Sequence, residues 1–208
     1  MIPVETLAAF FAASVILALA PGPDNIFVLT QAALYGRISG IFVMFGLCTG
    51  LIVHTTAVAF GVAAIFKVSE IAFTGLKIFG ACYLAWLAWQ AFRASASEIT
   101  GSAHGKKSLG KLYRRGILMN ITNPKVSIFF LAFLPQFADP ARGSLTVQIV
   151  LLGGIFILAT LLIFGGIAFL AGSIGGWFSR SAKAQVIMNR VAGTVFILLA
   201  LKLASTSR

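Results

Sequence analysis

Six long apolar segments occupy most of this 208-residue sequence and limit the folds that it can adopt. A transmembrane helix needs roughly 20 consecutive, mainly apolar residues to cross the hydrocarbon layer of a bilayer. The segments are of about this length or longer, and they lie at residues 5–35, 38–66, 70–92, 113–138, 144–172 and 186–204. We therefore predict an all-α integral membrane protein of about six transmembrane helices.

The composition supports a membrane protein and argues against a soluble one. Hydrophobic residues make up 59% of the chain, charged residues only 10%, and the mean hydropathy is +0.99, whereas soluble domains carry about 25% charged residues. The net charge of +11 would suggest nucleic-acid binding in a soluble protein. Here the basic residues mostly lie between apolar segments, so we predict contact with the lipid bilayer and no nucleic-acid partner.

The distribution of basic residues predicts the orientation of the chain. Short loops rich in Lys and Arg mark the cytoplasmic side of a membrane. The basic residues cluster in the connections after the first, third and fifth segments, namely Arg37, Arg93, Lys106, Lys107, Lys111, Arg114, Arg115, Arg180, Lys183 and Arg190. We therefore predict a multi-pass protein of the bacterial inner membrane with these connections in the cytoplasm and both termini outside.

The two halves of the chain resemble each other. Each half opens with a segment interrupted by proline and continues with a glycine-rich one. We predict a single transmembrane domain, 1–208, made of repeat 1 (1–92), a basic cytoplasmic loop (93–115) and repeat 2 (116–208). Because each repeat has three spans, the second must enter the membrane from the opposite side. Such an inverted repeat is typical of secondary transporters.

Proline breaks helices 1 and 4 at matching positions in the two repeats. The residues at the breaks are Pro21, Gly22, Pro23 and Asp24 in the first and Asn123, Pro124 and Lys125 in the second. Proline removes a backbone hydrogen bond, and the freed groups cannot face lipid, so we expect the two breaks to face each other around a polar cavity. Helix N-termini restarting at Pro23 and Pro124 favour a carboxylate, while Asp24 suits an ammonium group. The breaks therefore predict a site for a small zwitterionic molecule, with Lys125 beside its carboxylate.

Ordinary helix capping is the other interpretation of the same residues. Proline at the first helical position, Asp24 in a first turn and Asn123 as an N-cap are common helix starts. An ionisable side chain within a membrane is costly, however, and is a functional candidate by default. We therefore favour substrate binding for Asp24 and Lys125.

Three further polar residues are candidates for the same site. Asn25 follows Asp24, and Asn120 lies about one turn before Pro124. His54, within the second segment, is with Asp24 a candidate for proton coupling, because histidine titrates near neutral pH. Polar residues in a membrane also hydrogen-bond neighbouring helices, and that alternative remains open for Asn120 and His54.

The sequence offers little for metal, redox or hydrolytic chemistry. A metal-ion exporter needs clustered His, Cys or carboxylate ligands, and Asp24 and His54 are the only intramembrane candidates. Cys48 and Cys82 stand alone in apolar segments without a Cys-x-x-Cys spacing, and no hydrolase motif is present. We predict no enzymatic activity, no metal and no cofactor, and keep a metal-ion exporter and a membrane thiol redox carrier as alternatives.

A pair of glycines predicts one close helix contact. Gly46 and Gly50 are four residues apart on one helix face, a spacing that lets another helix approach closely. The partner helix lies either in the same chain or in a second copy, which leaves a homodimer open.

Three short motifs, in order, resemble the LysE/RhtB family of amino-acid exporters. The motifs are Ala20-Pro21-Gly22-Pro23-Asp24, then Leu76-Lys77 followed by Gly80-Ala81-x-Tyr83-Leu84, and Asn120-Ile121-x-Asn123-Pro124-Lys125. The resemblance extends over essentially the whole chain. It implies export of an amino acid or a close derivative from the cytoplasm, driven by the membrane potential or the proton gradient. It also implies that the two broken helices, with the residues named above, form the transport site.

Overall fold

The computed structural model is all-helical, which confirms the predicted fold class. The structure describes residues 2–20, 22–68, 70–94, 108–171 and 181–205, and this part of the chain contains helices and no strand. Leu76 and Lys77 belong to a described helix, but their side chains, like those of residues 62–73, are outside the description. Pro21 and most of the predicted loop, residues 95–107, are also outside it.

The first half of the chain forms four helices. They are α1 (Val4–Leu19), α2 (Pro23–Tyr35), α3 (Arg37–Val68) and α4 (Glu70–Arg93). Helices α1 and α2 meet at a bend of 61°. Pro23 is the first residue of α2, where its missing N–H removes no helical hydrogen bond. The first apolar segment is therefore a broken helix, as the sequence predicts.

The second half repeats this order. It consists of α5 (Leu109–Ile121), α6 (Pro124–Ile128), α7 (Leu145–Leu170) and α8 (Ala182–Ser205). A π-helical turn, Phe129–Phe133, and a 3₁₀ turn, Leu134–Phe137, extend α6, and a short 3₁₀ turn, Pro140–Arg142, precedes α7. The bend between α5 and the segment Pro124–Phe137 is 50°. Both predicted breaks are therefore present, each with proline at a helix start.

Helix α5 begins at Leu109, inside the stretch that the sequence predicts as a loop. Leu112 and Gly116 are buried, whereas Lys111, Arg114 and Arg115 are exposed. This alternation gives one apolar and one basic face at helical spacing, so the basic residues that suggested a loop form the outer face of a helix.

Three helices in the described part are long and apolar enough to cross a membrane: α3 over Arg37–Gly61, α7, and α8 over Gln185–Ser205. The number is up to five if each bent pair is one span. Helix α4 is not among these, although its 24 residues reach the roughly 20 that a span needs. The predicted total of six therefore remains a prediction.

Helix α3 lies at the centre of the packing. It contacts α2, α5 and α7, while α1 packs on α7 and α4 on α8. The contacts of α3 with α5 and of α7 with α1 are reciprocal, because each joins the second span of one half to the first half-helix of the other. The broken helices are thereby held against the long helices of the opposite half.

Two features fix the position of the breaks. The first is an aromatic cluster in the core, formed by Phe10, Phe129, Phe130, Phe133, Phe137 and Phe156, whose neighbouring rings lie 4.9 to 6.3 Å apart. The second is the glycine contact between α3 and α5. A Cβ on Gly46 would lie 2.1 Å from the Tyr113 carbonyl oxygen, and one on Gly116 would lie 2.6 Å from that of Val43. The predicted glycine contact is therefore made within one chain.

Candidate functional site

Asp24 and Asn120 connect the two breaks. Asp24 is the second residue of α2, is only 3% exposed, and lies where a negative charge is favoured by the helix dipole. Asn120 is near the end of α5, and its Nδ2 donates a hydrogen bond to Oδ2 of Asp24 over 3.2 Å. Since these residues are 96 apart in sequence, the bond joins the two halves of the chain at the predicted site.

Lys125 makes the second connection. It is the second residue of α6 and is 8% exposed. Its ammonium group donates to the carbonyl oxygens of Ala20, over 2.9 Å, and Leu17, over 3.3 Å. These carbonyls belong to the last turn of α1. The carbonyl groups of a last turn have no hydrogen-bond donors within their own helix and carry partial negative charge. Lys125 therefore caps a half-helix of the opposite repeat.

Gly22 leaves room for this lysine. A Cβ at position 22 would lie 3.0 Å from Lys125 Nζ, which is tighter than an ordinary contact. Gly22 itself has extended backbone, with φ of −175°, a conformation open to any residue. Lys125 therefore fits beside position 22 because glycine is small, and the backbone freedom of glycine is not required there.

Four polar side-chain atoms at the breaks have unused hydrogen-bonding capacity. They are Oδ1 of Asp24, Asn25 and Asn120 and Nδ2 of Asn123, which are buried and have no hydrogen-bond partner among the described residues. A buried polar atom left unpaired costs about 1–3 kcal/mol. Three acceptors and one donor in this position can pair with the ammonium and carboxylate groups of a zwitterion.

A small cavity borders Asp24, Asn120 and Lys125. It has a volume of about 20 Å³, which is room for about one water molecule and not for an amino acid. We call this conformation, in which no amino acid fits, the closed form. The cavity is lined by Leu17, Ala18, Asp24, Leu51, Asn120, Lys125, Val126, Phe156, Thr160 and Phe164.

The remaining predicted residues contribute to the helix ends. Asn123 is the N-cap of α6, because its Oδ1 accepts from the backbone N–H of Lys125 over 3.0 Å. Asn25 donates from Nδ2 to the Ala18 carbonyl at the end of α1. Pro124 starts α6 as Pro23 starts α2. Helix capping, one of the two interpretations of the sequence, is thus present at the breaks, and substrate binding by Asp24 and Lys125 remains a prediction.

His54 touches the site from α3 without lining the cavity. Its Nε2 lies 3.2 Å from the backbone oxygen of Asn120, and its ring packs on Phe130 with the centroids 5.5 Å apart. It therefore supports the residue that bonds Asp24. Gln31 is buried on α2, with its Oε1 unpaired among the described residues, and it too lies outside the cavity lining.

The residues of α7 that line the cavity were not among those predicted from the sequence. Phe156, Thr160 and Phe164 are four residues apart, so they lie on one face of the helix, and all three line the cavity. Helix α7 is apolar almost throughout, so its hydrophobic pattern singles out no face. The one available signal is Thr160, which is the only hydroxyl-bearing residue between positions 149 and 170.

The described residues show no assembled metal or disulfide site. They contain no group of three or more His, Cys, Asp or Glu side chains placed to hold a metal ion. Cys48 is buried, Cys82 is exposed, and both are free thiols. These observations add no support to the metal-ion or redox alternatives.

Comparison with known proteins agrees with the resemblance seen in the motifs. The family model described as LysE type translocator matches residues 15–207. The homoserine/homoserine lactone efflux protein of Salmonella typhimurium is 34% identical over 197 residues, covering 95% of each chain. An uncharacterized membrane protein of Vibrio cholerae is 32% identical over 189 residues, or 91% of each. The leucine efflux protein of Enterobacter sp. is 25% identical over 193 residues, covering 91% of this chain and 90% of that protein.

No solved structure matches this chain significantly. The family match extends over nearly the whole sequence, and residues of the first and third motifs that suggested it meet at one buried site. The chain is a membrane protein that belongs to the LysE type translocator family of transporters.

Proposed function

We propose that this protein is a secondary-active exporter of an amino acid or amino-acid derivative, located in the bacterial inner membrane and coupled to the proton motive force. The observation that carries the proposal is the buried group of Asp24, Asn120, Asn123 and Lys125 at the meeting point of two broken helices. The efflux of homoserine, homoserine lactone and leucine by similar proteins supports the substrate class.

The unpaired atoms suggest how the substrate binds. Its ammonium group would donate to Oδ1 of Asp24 and Oδ1 of Asn120, and its carboxylate would accept from Nδ2 of Asn123. Lys125 contributes positive charge next to that carboxylate while it remains bonded to the α1 carbonyls. Charge-assisted hydrogen bonds of this kind are stronger than hydrogen bonds between neutral groups. Each pairing also gives a partner to a polar atom that is otherwise buried and unpaired.

Transport requires the two halves to separate and close again around this site. The bonds from Asn120 to Asp24 and from Lys125 to α1 both cross between halves, so they are intact in the closed form and altered when one side opens. The reciprocal packing of α3 on α5 and α7 on α1 supports rocking of two inverted repeats. The basic outer face of α5 supports a cytoplasmic location for the 93–115 segment.

Two residues are candidates for the proton that drives export. Asp24 can exchange a proton for the substrate ammonium group at the same carboxylate. His54 is the second candidate, because its Nε2 contacts the backbone oxygen of Asn120, the residue that bonds Asp24. Replacement of His54 by glutamine, which retains a hydrogen-bond donor, separates the two: loss of pH dependence identifies His54, and an unchanged pH profile identifies Asp24.

The alternative functions, metal-ion export and thiol redox transfer, have less support than amino-acid export, and a homodimer has little support. Gly46 faces α5 of its own chain, so the glycine pair gives no argument for a second copy. A metal-ion exporter predicts metal-stimulated transport, and a thiol carrier predicts loss of function on removal of Cys48 and Cys82.

The decisive experiment is efflux from proteoliposomes preloaded with labelled homoserine, leucine, lysine or glutamate. We expect efflux of one or more of these when a proton gradient is imposed, and its loss on addition of an uncoupler. Efflux that continues unchanged in the presence of the uncoupler would contradict the proton coupling but not the export function. No efflux of any amino acid by correctly folded protein would contradict the exporter.

A further inference from the structure

We propose that Thr160 and the two phenylalanines beside it form the side-chain pocket of the transport site, and that this pocket selects a short uncharged side chain bearing a hydrogen-bonding oxygen. The inference rests on the proposed function and names the substrate class of the same site. It starts from the division of the cavity into two unlike walls.

The polar wall fixes which part of a substrate faces it. Asp24 comes from α2, Asn120 from α5 and Lys125 from the start of α6. Among the described residues, all the buried atoms with unused hydrogen-bonding capacity at the breaks lie on these elements or on Asn123, the N-cap of α6. Since the ammonium and carboxylate of an amino acid share one carbon, both are held at this wall, and the side chain is directed away from it.

The rest of the cavity lining is what the side chain meets. Helix α7 supplies Phe156, Thr160 and Phe164 to it, and further apolar surface comes from Leu17, Ala18, Leu51 and Val126. Thr160 is 2% exposed and lies one turn from each phenylalanine. A single hydroxyl between two aromatic rings can donate to or accept from a substrate oxygen, and it has no charge to offer.

The absence of a further charge excludes long ionic side chains. Apart from Asp24 and Lys125, the described residues that line the cavity carry no ionisable group. A lysine or glutamate substrate would bring a third charge to a buried wall of two phenyl rings and one hydroxyl, where it finds no counterion. We therefore expect lysine and glutamate efflux to be about a hundredfold slower than homoserine efflux.

Replacement of Thr160 by valine tests the pocket, because the two side chains have nearly the same shape and differ in the hydroxyl. Homoserine and leucine are loaded together in one proteoliposome preparation and their efflux rates compared. We expect Thr160→Val to lower the homoserine-to-leucine ratio about tenfold and Thr160→Ser to keep it within about twofold. Because both rates come from the same vesicles, differences in folding or reconstitution cancel in the ratio.

Thr55 provides the matched control. It is buried on α3, its hydroxyl donates to the Leu51 carbonyl within its own helix over 2.8 Å, and it is not part of the cavity lining. Thr55→Val should leave the ratio unchanged. An unchanged ratio in Thr160→Val would contradict the proposed side-chain pocket but not the proposed export function. A wild-type protein that prefers lysine or glutamate would have the same meaning. A wild-type protein that moves no amino acid would overturn both.

Discussion

At the scale of single residues, the site depends on one carboxylate that is buried by both halves of the chain. Asp24 combines an oxygen bonded to Asn120 with an oxygen that has no partner among the described residues. Asp24→Asn keeps the shape and removes the charge that would attract an ammonium group. We expect the efflux rate in proteoliposomes to fall about 10- to 100-fold, since hydrogen bonds to charged groups contribute about 1.5–3 kcal/mol.

Asp139 offers a control for this substitution. It is exposed near the start of α7 and pairs with Arg142 over 3.0 Å, an interaction that contributes little at a surface. Asp139→Asn should therefore leave efflux close to the wild-type rate. Equal rates for wild type and Asp24→Asn would show that the carboxylate has no part in transport.

Lys125 should matter for stability as well as for transport. Lys125→Met retains the length of the side chain but leaves the Leu17 and Ala20 carbonyls without their donor. The loss of about 2 kcal/mol corresponds to a melting temperature in detergent that is lower by about 4–8 °C. Lys111→Met, at an exposed position on α5, should melt like the wild type. A Lys125→Met protein as stable as wild type would contradict the capping role.

At the scale of elements, the contact of α3 with α5 positions Asn120. Gly46→Ala would bring a methyl group within 2.1 Å of the Tyr113 carbonyl, so the helices must separate. Overpacking of this kind destabilises by about 1–3 kcal/mol, and it also draws Asn120 away from Asp24. We expect lower thermal stability together with reduced efflux.

Substitution of Gly154 on α7 is a control that separates the effect of crowding from the effect of helix propensity. A Cβ there meets nothing within 4 Å, and alanine is favoured over glycine in a helix interior by about 0.5–1 kcal/mol. Gly154→Ala should therefore be neutral or stabilising in the same melting assay. If Gly46→Ala behaved in the same way, the close approach of α3 and α5 would not be needed.

At the scale of the whole molecule, the proposed inverted repeat predicts on which side of the membrane the ends of the chain lie. A variant without Cys48 and Cys82, which should retain transport because neither cysteine lines the cavity, allows single cysteines to be introduced. A cysteine at Ser205 should react with an impermeant reagent from outside the cell, and one at Lys111 only in inverted vesicles. Labelling of both positions from one side would contradict three spans in each half.

The sequence predicted the framework of this site better than its chemistry. Proline at the helix starts, the buried Asp24 and the N-cap role of Asn123 follow from rules of helix geometry and of charge in a membrane. The partners of Lys125 could not be predicted, because they are backbone carbonyls, which every residue has. Thr160 was missed because an apolar helix in a bilayer has no polar face to show which side is inward.

The bonds of Lys125 also bear on how the protein is made. The carbonyl groups that it caps end a helix synthesised 105 and 108 residues earlier, and lipid supplies no substitute donor. During synthesis, α1 thus enters the bilayer with its last turn incomplete, and it becomes fully bonded only when α6 arrives. The first half of the chain is for that time incompletely bonded, and the second half supplies the donor that completes it.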